Sequence, residues 1–277
     1  MNKVLLPCGQ SVPALGLGTW NVGDDRSKRA EEIATLQLGI DLGMTLIDTA
    51  EMYGEGKAES LVGEAIQGRR EQVFIVSKVY PHNASKRKMR ASCTNSLKRL
   101  GTDRLDLYLL HWQGSVPLSE TLEAFAELKR DGLIRHYGVS NLDLAAMREL
   151  AGLPGGREVQ TDQVLYNLQR RGIEFDLQPW LRKQHIPVMA YSPIEQGRLA
   201  RDARLMAFAQ KRGMTATQVA LAWLLAKDDV IVIPKTSSRA RLRENAAALE
   251  HVLDAAALAE LDKLFAPPMR PVSLEMI

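Results

Sequence analysis

Four ionisable side chains in the first half of the chain are spaced as a proton-handling set: Asp48, Tyr53, Lys78 and His111. Each lies at, or just beyond, the end of a short apolar run. Leu46 and Ile47 lead into Asp48, and Tyr53 follows among Gly54 and Gly56, in a loop that gives way to a helix near Lys57. The run VFIVSK ends at Lys78, and LDLYLLH ends at His111. A buried strand that stops at a polar group and passes into a Gly-flanked loop is how a parallel β/α protein presents reactive side chains at the C-terminal edge of its sheet. Singly, each residue has a plainer role: a helix cap for Asp48, a satisfied core position for His111, a snorkelling surface lysine for Lys78, a rim aromatic for Tyr53. Independent plain roles do not explain three successive strand ends, and together the four point to catalysis.

The elements that must position such a set alternate along the whole chain. VLLPCGQSVPALGLGTW reads as a hairpin followed by a strand ending at Gly18-Thr19-Trp20. Gly16 and Gly18 lack the third glycine of a dinucleotide fingerprint, since Asn21 stands in its place, so a Rossmann turn is not expected. A helix over 27–42 carries Ile33, Leu36 and Ile40 on one stripe. TLID then precedes a helix over 58–67, VFIVSK one over 85–100, and LDLYLLH one over 118–131. HYGVS precedes 142–151, and TDQVLY precedes 173–184. PVMAYS leads to two shorter helices over 202–211 and 217–226; DVIVIPK leads to 239–249, and a last helix covers 254–264. The strands are near-continuous apolar runs, as expected when both faces are covered. This regularity predicts an α/β fold, a (β/α)8 TIM barrel with an N-terminal β-hairpin and an extra C-terminal helix. No linker or composition shift divides residues 1–277, so a single domain is expected.

Composition narrows the function classes. Of 277 residues 45% are apolar and 25% charged, and the net charge of +3 is too weak and too evenly spread to argue for nucleic acid. The one basic cluster, SKRKMR at 85–90, opens a predicted helix and reads as a solvated face. Cys8 and Cys93 have no metal-type spacing and no matching His pair, so neither a metal site nor a disulfide is expected, and a reducing cytoplasm is the default. The N-terminus breaks at Pro7 and Gly9 before a signal-length apolar region forms, and no apolar run approaches the roughly 18 residues of a membrane span.

The motifs GLGTW, LIDTAEMYGEGKAE, IVSK, LLHW, GVSN, QVLYN, YSP and IPK, the last followed by an Arg and Glu-Asn pattern, occur in that order. On these residues the chain resembles the aldo-keto reductases, and within them it is similar to the bacterial methylglyoxal reductases, from the hairpin to the last helix. The resemblance implies an eight-stranded barrel, NADPH bound without a Rossmann fold, reduction of aldehydes and ketones, and a monomer. It also implies a catalytic quartet that maps onto Asp48, Tyr53, Lys78 and His111, with no departure at any of the four.

Carbonyl reduction places hydride on carbon and a proton on oxygen. Tyr53 is the expected acid, and Lys78 is expected to lower its pKa from the ordinary value of about 10. Asp48 then holds Lys78 charged, and His111 donates to the carbonyl oxygen. For the cofactor, Ser140, Asn141 and Gln163 end two strands with groups able to read a carboxamide, and Tyr191 is placed to stack on the nicotinamide; Asn141 could also cap the helix after it. Gly18, Thr19, Trp20, Asp48, Ser192 and Pro193 complete that end. Lys235, Thr236 and Ser237 precede a helix N-terminus, a natural anion site, and Arg241 adds a planar phosphate partner. The set fits a 2′-phosphate, so NADPH/NADP+ is expected over NADH, with Glu244 and Asn245 at the positions the family uses for adenine and Arg239 and Arg243 solvated. Trp20, Tyr53, His111 and Trp112 are expected to frame the substrate pocket, although Trp20 could instead plug the barrel. The short tail after Phe265 leaves little material for a large C-terminal specificity wall. Small aldehydes and α-dicarbonyls such as methylglyoxal fit an open pocket. The alternatives are a sugar-derived aldehyde or keto-sugar substrate, or an NADPH-binding sensor or partner subunit with slow turnover.

Overall fold

The computed structural model describes residues 2–277. Strands β1 (Lys3–Leu5) and β2 (Ser11–Pro13) pair antiparallel with Val4 opposite Val12. Eight parallel strands follow: β3 (Leu17–Gly18), β4 (Leu46–Asp48), β5 (Phe74–Val79), β6 (Leu105–Leu110), β7 (Ile134–Ser140), β8 (Asp162–Leu165), β9 (Val188–Tyr191) and β10 (Val230–Val232). Each pairs with the next in sequence order. Closure comes from the flanks of β3 and β10: Gly16 N donates to Val232 O at 2.8 Å, Val232 N donates to Ala14 O at 2.7 Å, and Gly18 N donates to Pro234 O at 3.0 Å. The eight-stranded barrel expected from the sequence is thereby formed. Gly16 is needed at that seam, because a Cβ there would meet Leu46 O at 2.8 Å.

Successive strand residues face opposite sides, and this periodicity aims the site. Leu46, Phe74, Val76, Leu107, Leu109, Met189 and Ile231 point into the barrel and pack with Val4, Leu6, Val12 and Ala14 of the hairpin, which stoppers the N-terminal end. Intervening residues such as Ile47, Ile75, Tyr108 and Val188 face the helices in a second apolar layer. Asp48, Lys78 and His111 each stand two residues beyond an inward-facing apolar side chain (Leu46, Val76, Leu109). The pleat therefore directs all three to the barrel axis at its C-terminal mouth.

The outer helices are α1 (Arg29–Asp41), α2 (Lys57–Ala65), α3 (Lys86–Leu100), α4 (Leu118–Arg130), α5 (Leu144–Gly152), α6 (Leu177–Lys183), α7 (Ala203–Gln210), α8 (Ala216–Leu225), α9 (Arg239–Ala247) and α10 (Ala255–Leu264). Local caps decide several starts. Asp143, and not Asn141, caps α5 by accepting from Ala146 N at 2.9 Å; Asn141 is left-handed at φ 59° and cannot serve as that cap. The region expected as one helix over 173–184 is a short 3-10 turn at Gly172–Glu174 and a helix from Leu177. The basic cluster on α3 is a solvated face: Lys86 pairs with Glu123 and Glu127, and Arg90 with Asp131. Among the described residues no helix is long and apolar enough to cross a membrane.

Candidate active site

At the mouth of the barrel the Lys78 ammonium is completely buried and spends its three N–H donors on three acceptors. These are Asp48 Oδ2 at 2.8 Å, Thr49 O at 2.9 Å and Tyr53 Oη at 3.1 Å. Asp48 Oδ1 accepts from Gln163 Nε2 at 2.7 Å, across the barrel. Tyr53 arrives from the loop after β4, where Gly54 and Glu55 both have positive φ (57° and 54°). A Cβ on Gly54 would meet Asp24 Oδ1 at 2.6 Å, a contact the flexible Asp24 side chain can relieve, so it is the left-handed backbone that favours glycine here. The Tyr53 and His111 rings meet edge to face at 5.8 Å, and the Trp112 ring lies 4.9 Å from His111.

Burial and charge compete at every member of this cluster. For Lys78, burial pulls the ammonium down, but the field of Asp48, then that of Tyr53, outweighs it and holds the pKa above the ordinary range. Burial pushes the Asp48 carboxyl up against the field of Lys78. Burial also pushes the Tyr53 phenol up; Lys78 pulls it down and Asp48 adds to the rise, so the net direction is upward. The expectation that Lys78 lowers the phenol pKa is thus right for the pair and wrong for the sum, because the cost of burying a phenolate exceeds the help of the neighbouring ammonium. The His111 imidazole is pushed down to about 3, by burial first and then by Lys78, and is neutral at pH 7. Its Nδ1 is buried with no hydrogen-bond partner among the described residues.

A second group is tied together beside the first. Ser140 Oγ donates to Gln163 O at 2.8 Å; Asn141 Nδ2 donates to His111 O at 3.1 Å and to Ser140 Oγ at 3.0 Å. Tyr191 Oη donates to Asn141 Oδ1 at 3.0 Å. The left-handed turn at Asn141 is what carries its amide back toward His111.

Both groups border a cavity of about 1270 Å³ that runs to the start of α9. The expected cofactor residues Gly18, Thr19, Trp20, Asp48, Ser140, Asn141, Gln163, Tyr191, Ser192, Pro193, Lys235, Thr236, Ser237, Arg241, Glu244 and Asn245 all line it, as do Tyr53, His111 and Trp112. Lys78 lies beneath its floor. Trp20 is 43% exposed at the rim, so it does not plug the barrel. At the far end Ser238 caps α9, and Ser237 Oγ donates to Glu32 Oε1 at 2.7 Å. Glu32 is buried and also accepts from Gly23 N at 2.9 Å. Arg241 is exposed and makes no ion pair among the described residues, whereas Arg239 pairs with Glu31. Burial pulls the Lys235 ammonium down, against the raising fields of Glu32 and Asp24.

Sequence reasoning missed much of the rest of the wall, including Lys28 just before α1, Glu32 within it, the loop containing Ile194, Gln196 and Gly197, and the tail residues Met276 and Ile277. Gly197 is a turn signal for the loop, but nothing local marks Glu32 apart from other charges of an amphipathic helix. The short tail brings Met276 and Ile277 to the edge of the cavity.

A closed parallel barrel with a buried proton-handling cluster at its C-terminal mouth, opening on one long cavity, is the architecture of a barrel oxidoreductase acting on carbonyl groups. The model of the Aldo/keto reductase family matches residues 14–266, and the chain belongs to that family. It is 52% identical over 272 residues, 96% of each chain, to a protein of Escherichia coli (strain K12) named methylglyoxal reductase YeaE. It is 32% identical over 263 residues to methylglyoxal reductase DkgB of Salmonella typhi, covering 91% of this chain and 94% of that one. The crystal structure of an aldo/keto reductase from Klebsiella pneumoniae in complex with NADP and acetate is similar with a TM-score of 0.97 and 47% identity, over 100% of both chains.

Proposed function

We propose that the chain reduces small aldehydes and α-dicarbonyls, methylglyoxal among them, to alcohols with NADPH, and that Tyr53 gives the proton. The observation that carries this is the Lys78 ammonium, buried and bonded at once to Asp48 and to the Tyr53 phenol. A sensor or partner subunit has no use for that arrangement. Burial keeps the phenol protonated at neutral pH, so it begins the reaction as an acid. As the proton leaves, the adjacent ammonium stabilises the developing phenolate, and Asp48 keeps Lys78 from neutralising. His111, neutral, can donate an N–H to the carbonyl oxygen without adding a second positive charge beside Lys78.

The residues fit a nicotinamide dinucleotide phosphate. Arg241, which has no ion-pair partner among the described residues, and Lys235, Thr236 and Ser237 beside the N-terminus of α9 suit the 2′-phosphate, and Glu244 and Asn245 suit the adenine. Ser140, Asn141, Gln163 and Tyr191 suit the nicotinamide end, with Gly18, Thr19, Trp20, Ser192 and Pro193 completing the wall. When bound, the nucleotide supplies the hydride. The apolar rim of Trp20, Trp112, Met276 and Ile277 suits small carbonyl compounds better than polyhydroxylated sugars. A single-domain monomer of the cytoplasm completes this proposal. The test is NADPH and NADH consumption, side by side, over a panel of methylglyoxal, simple aldehydes and sugar aldehydes. Turnover with methylglyoxal and NADPH is expected; no turnover with any carbonyl, in the presence of bound nucleotide, would revive the sensor alternative.

A further inference from the structure

Two neighbouring segments border the cavity, and both lie outside the strands and α-helices of the barrel. One follows β9, where Ser192, Glu195 and Gln196 have φ of 48°, 49° and 54°. Non-glycine residues keep that conformation only where their surroundings over-determine it. Here the anchor is the fully buried Glu195 carboxylate, which accepts from Asn167 Nδ2 at 2.7 Å, Arg170 Nε at 3.1 Å and Arg198 Nη2 at 2.6 Å. Asn167 Nδ2 also donates to Ser192 O at 2.9 Å. The other segment is the tail, where Met276 and Ile277 line the cavity and the neighbouring Glu275 accepts from Arg170 Nη1.

One guanidinium thus bonds the cofactor-side loop through Nε and the substrate-side tail through Nη1. Its own backbone is fixed, since Arg170 N donates to Asn167 O at 3.0 Å and to Asn167 Oδ1 at 3.1 Å. The two links differ in strength. Glu195 is desolvated, whereas Glu275 is 37% exposed, so water competes for the tail link and not for the loop link. The loop is the fixed side and the tail the releasable one.

We propose that Arg170 is a positioning residue that couples nucleotide binding to closure of the substrate wall. A nucleotide packed against the loop at Ser192–Gly197 holds Glu195, Glu195 holds the guanidinium, and the guanidinium offers Glu275 a fixed partner. Met276 and Ile277 then stand against the substrate. The proposal rests on the assignment of this cavity to NADPH and a carbonyl substrate.

Coupling is reciprocal, so substrate must tighten nucleotide binding. NADP+ with methylglyoxal forms a complex that cannot react forward, and NADP+ is titrated by protein fluorescence with and without saturating methylglyoxal. In the wild type methylglyoxal is expected to tighten NADP+ by roughly fivefold or more. In Glu275→Gln the NADP+ Kd measured alone stays within about twofold of wild type, the tightening is lost, and the KM for methylglyoxal rises while kcat holds. Arg170→Met loses the tightening and also weakens NADP+ alone; Arg170→Lys, which keeps the charge but not the fork, recovers the second loss in part and not the first. A Glu275→Gln enzyme that keeps both KM and tightening overturns the coupling, as does wild-type turnover without tightening. A wild type that turns over no carbonyl at all brings down the proposed function, and the coupling with it.

Discussion

The two ends of the cavity handle charge in opposite ways. At the mouth formed by β4, β5 and β6, every charge is already answered from within: Lys78 has three acceptors, and Asp48 accepts from both Lys78 and Gln163. At the N-terminus of α9, Arg241 stands exposed and unpaired among the described residues, while the half-buried Lys235 ammonium is pulled down by burial. A buried ion pair must be complete before any ligand arrives, since an isolated buried charge is too costly to keep. An exposed cation faces no such demand and can wait for its anion. The contrast teaches that the chemical end is preorganised and the phosphate end is completed by what binds there.

Four experiments bear on this contrast. The largest effect belongs to Tyr53→Phe, which removes the acid from an otherwise intact cluster. We expect kcat to fall by about 10²–10⁴-fold, with nucleotide binding retained; a variant with full turnover would remove the phenol from the mechanism. Next, Lys78→Met strands Asp48 without its cation. Unfolding by denaturant should show a loss of about 3–5 kcal/mol, and Asp48→Asn in the same chain should restore part of it. Equal stability of Lys78→Met and wild type would mean that the mouth is not preorganised by this pair.

The third experiment concerns His111, whose imidazole is held down to about 3 in the folded chain against an ordinary value near 6.5. The unfolded chain therefore binds a proton that the folded chain refuses between those two values. Stability is fully present above about pH 6.5 and is lost as pH falls toward 3, on the order of 2 kcal/mol by pH 5. His111→Asn should flatten that part of the acid limb, and an unchanged slope would place the titration elsewhere. The smallest effect is at the open end. Arg241→Ala should weaken NADPH by about tenfold, the worth of one charge-assisted contact, and weaken NADH little. Equal losses for both nucleotides would move the 2′-phosphate away from this corner.

The sequence by itself determined the barrel and the aim of its catalytic candidates, and the reason is local. Strand pleat has a period of two, so Asp48, Lys78 and His111 inherit their direction from Leu46, Val76 and Leu109. The Gly-flanked turn of Tyr53 is likewise written in neighbouring residues. Only the tertiary structure decided the features that depend on distant partners or on a balance of opposed terms. Glu32 meets Ser237 across 205 positions of sequence, and Arg170 meets Glu275 across 105; no local pattern announces either pair. The net pKa of Tyr53 is a difference between desolvation and two fields of opposite sign. That sign belongs to the packed mouth of the barrel, since burial is a property of the fold and not of the residue.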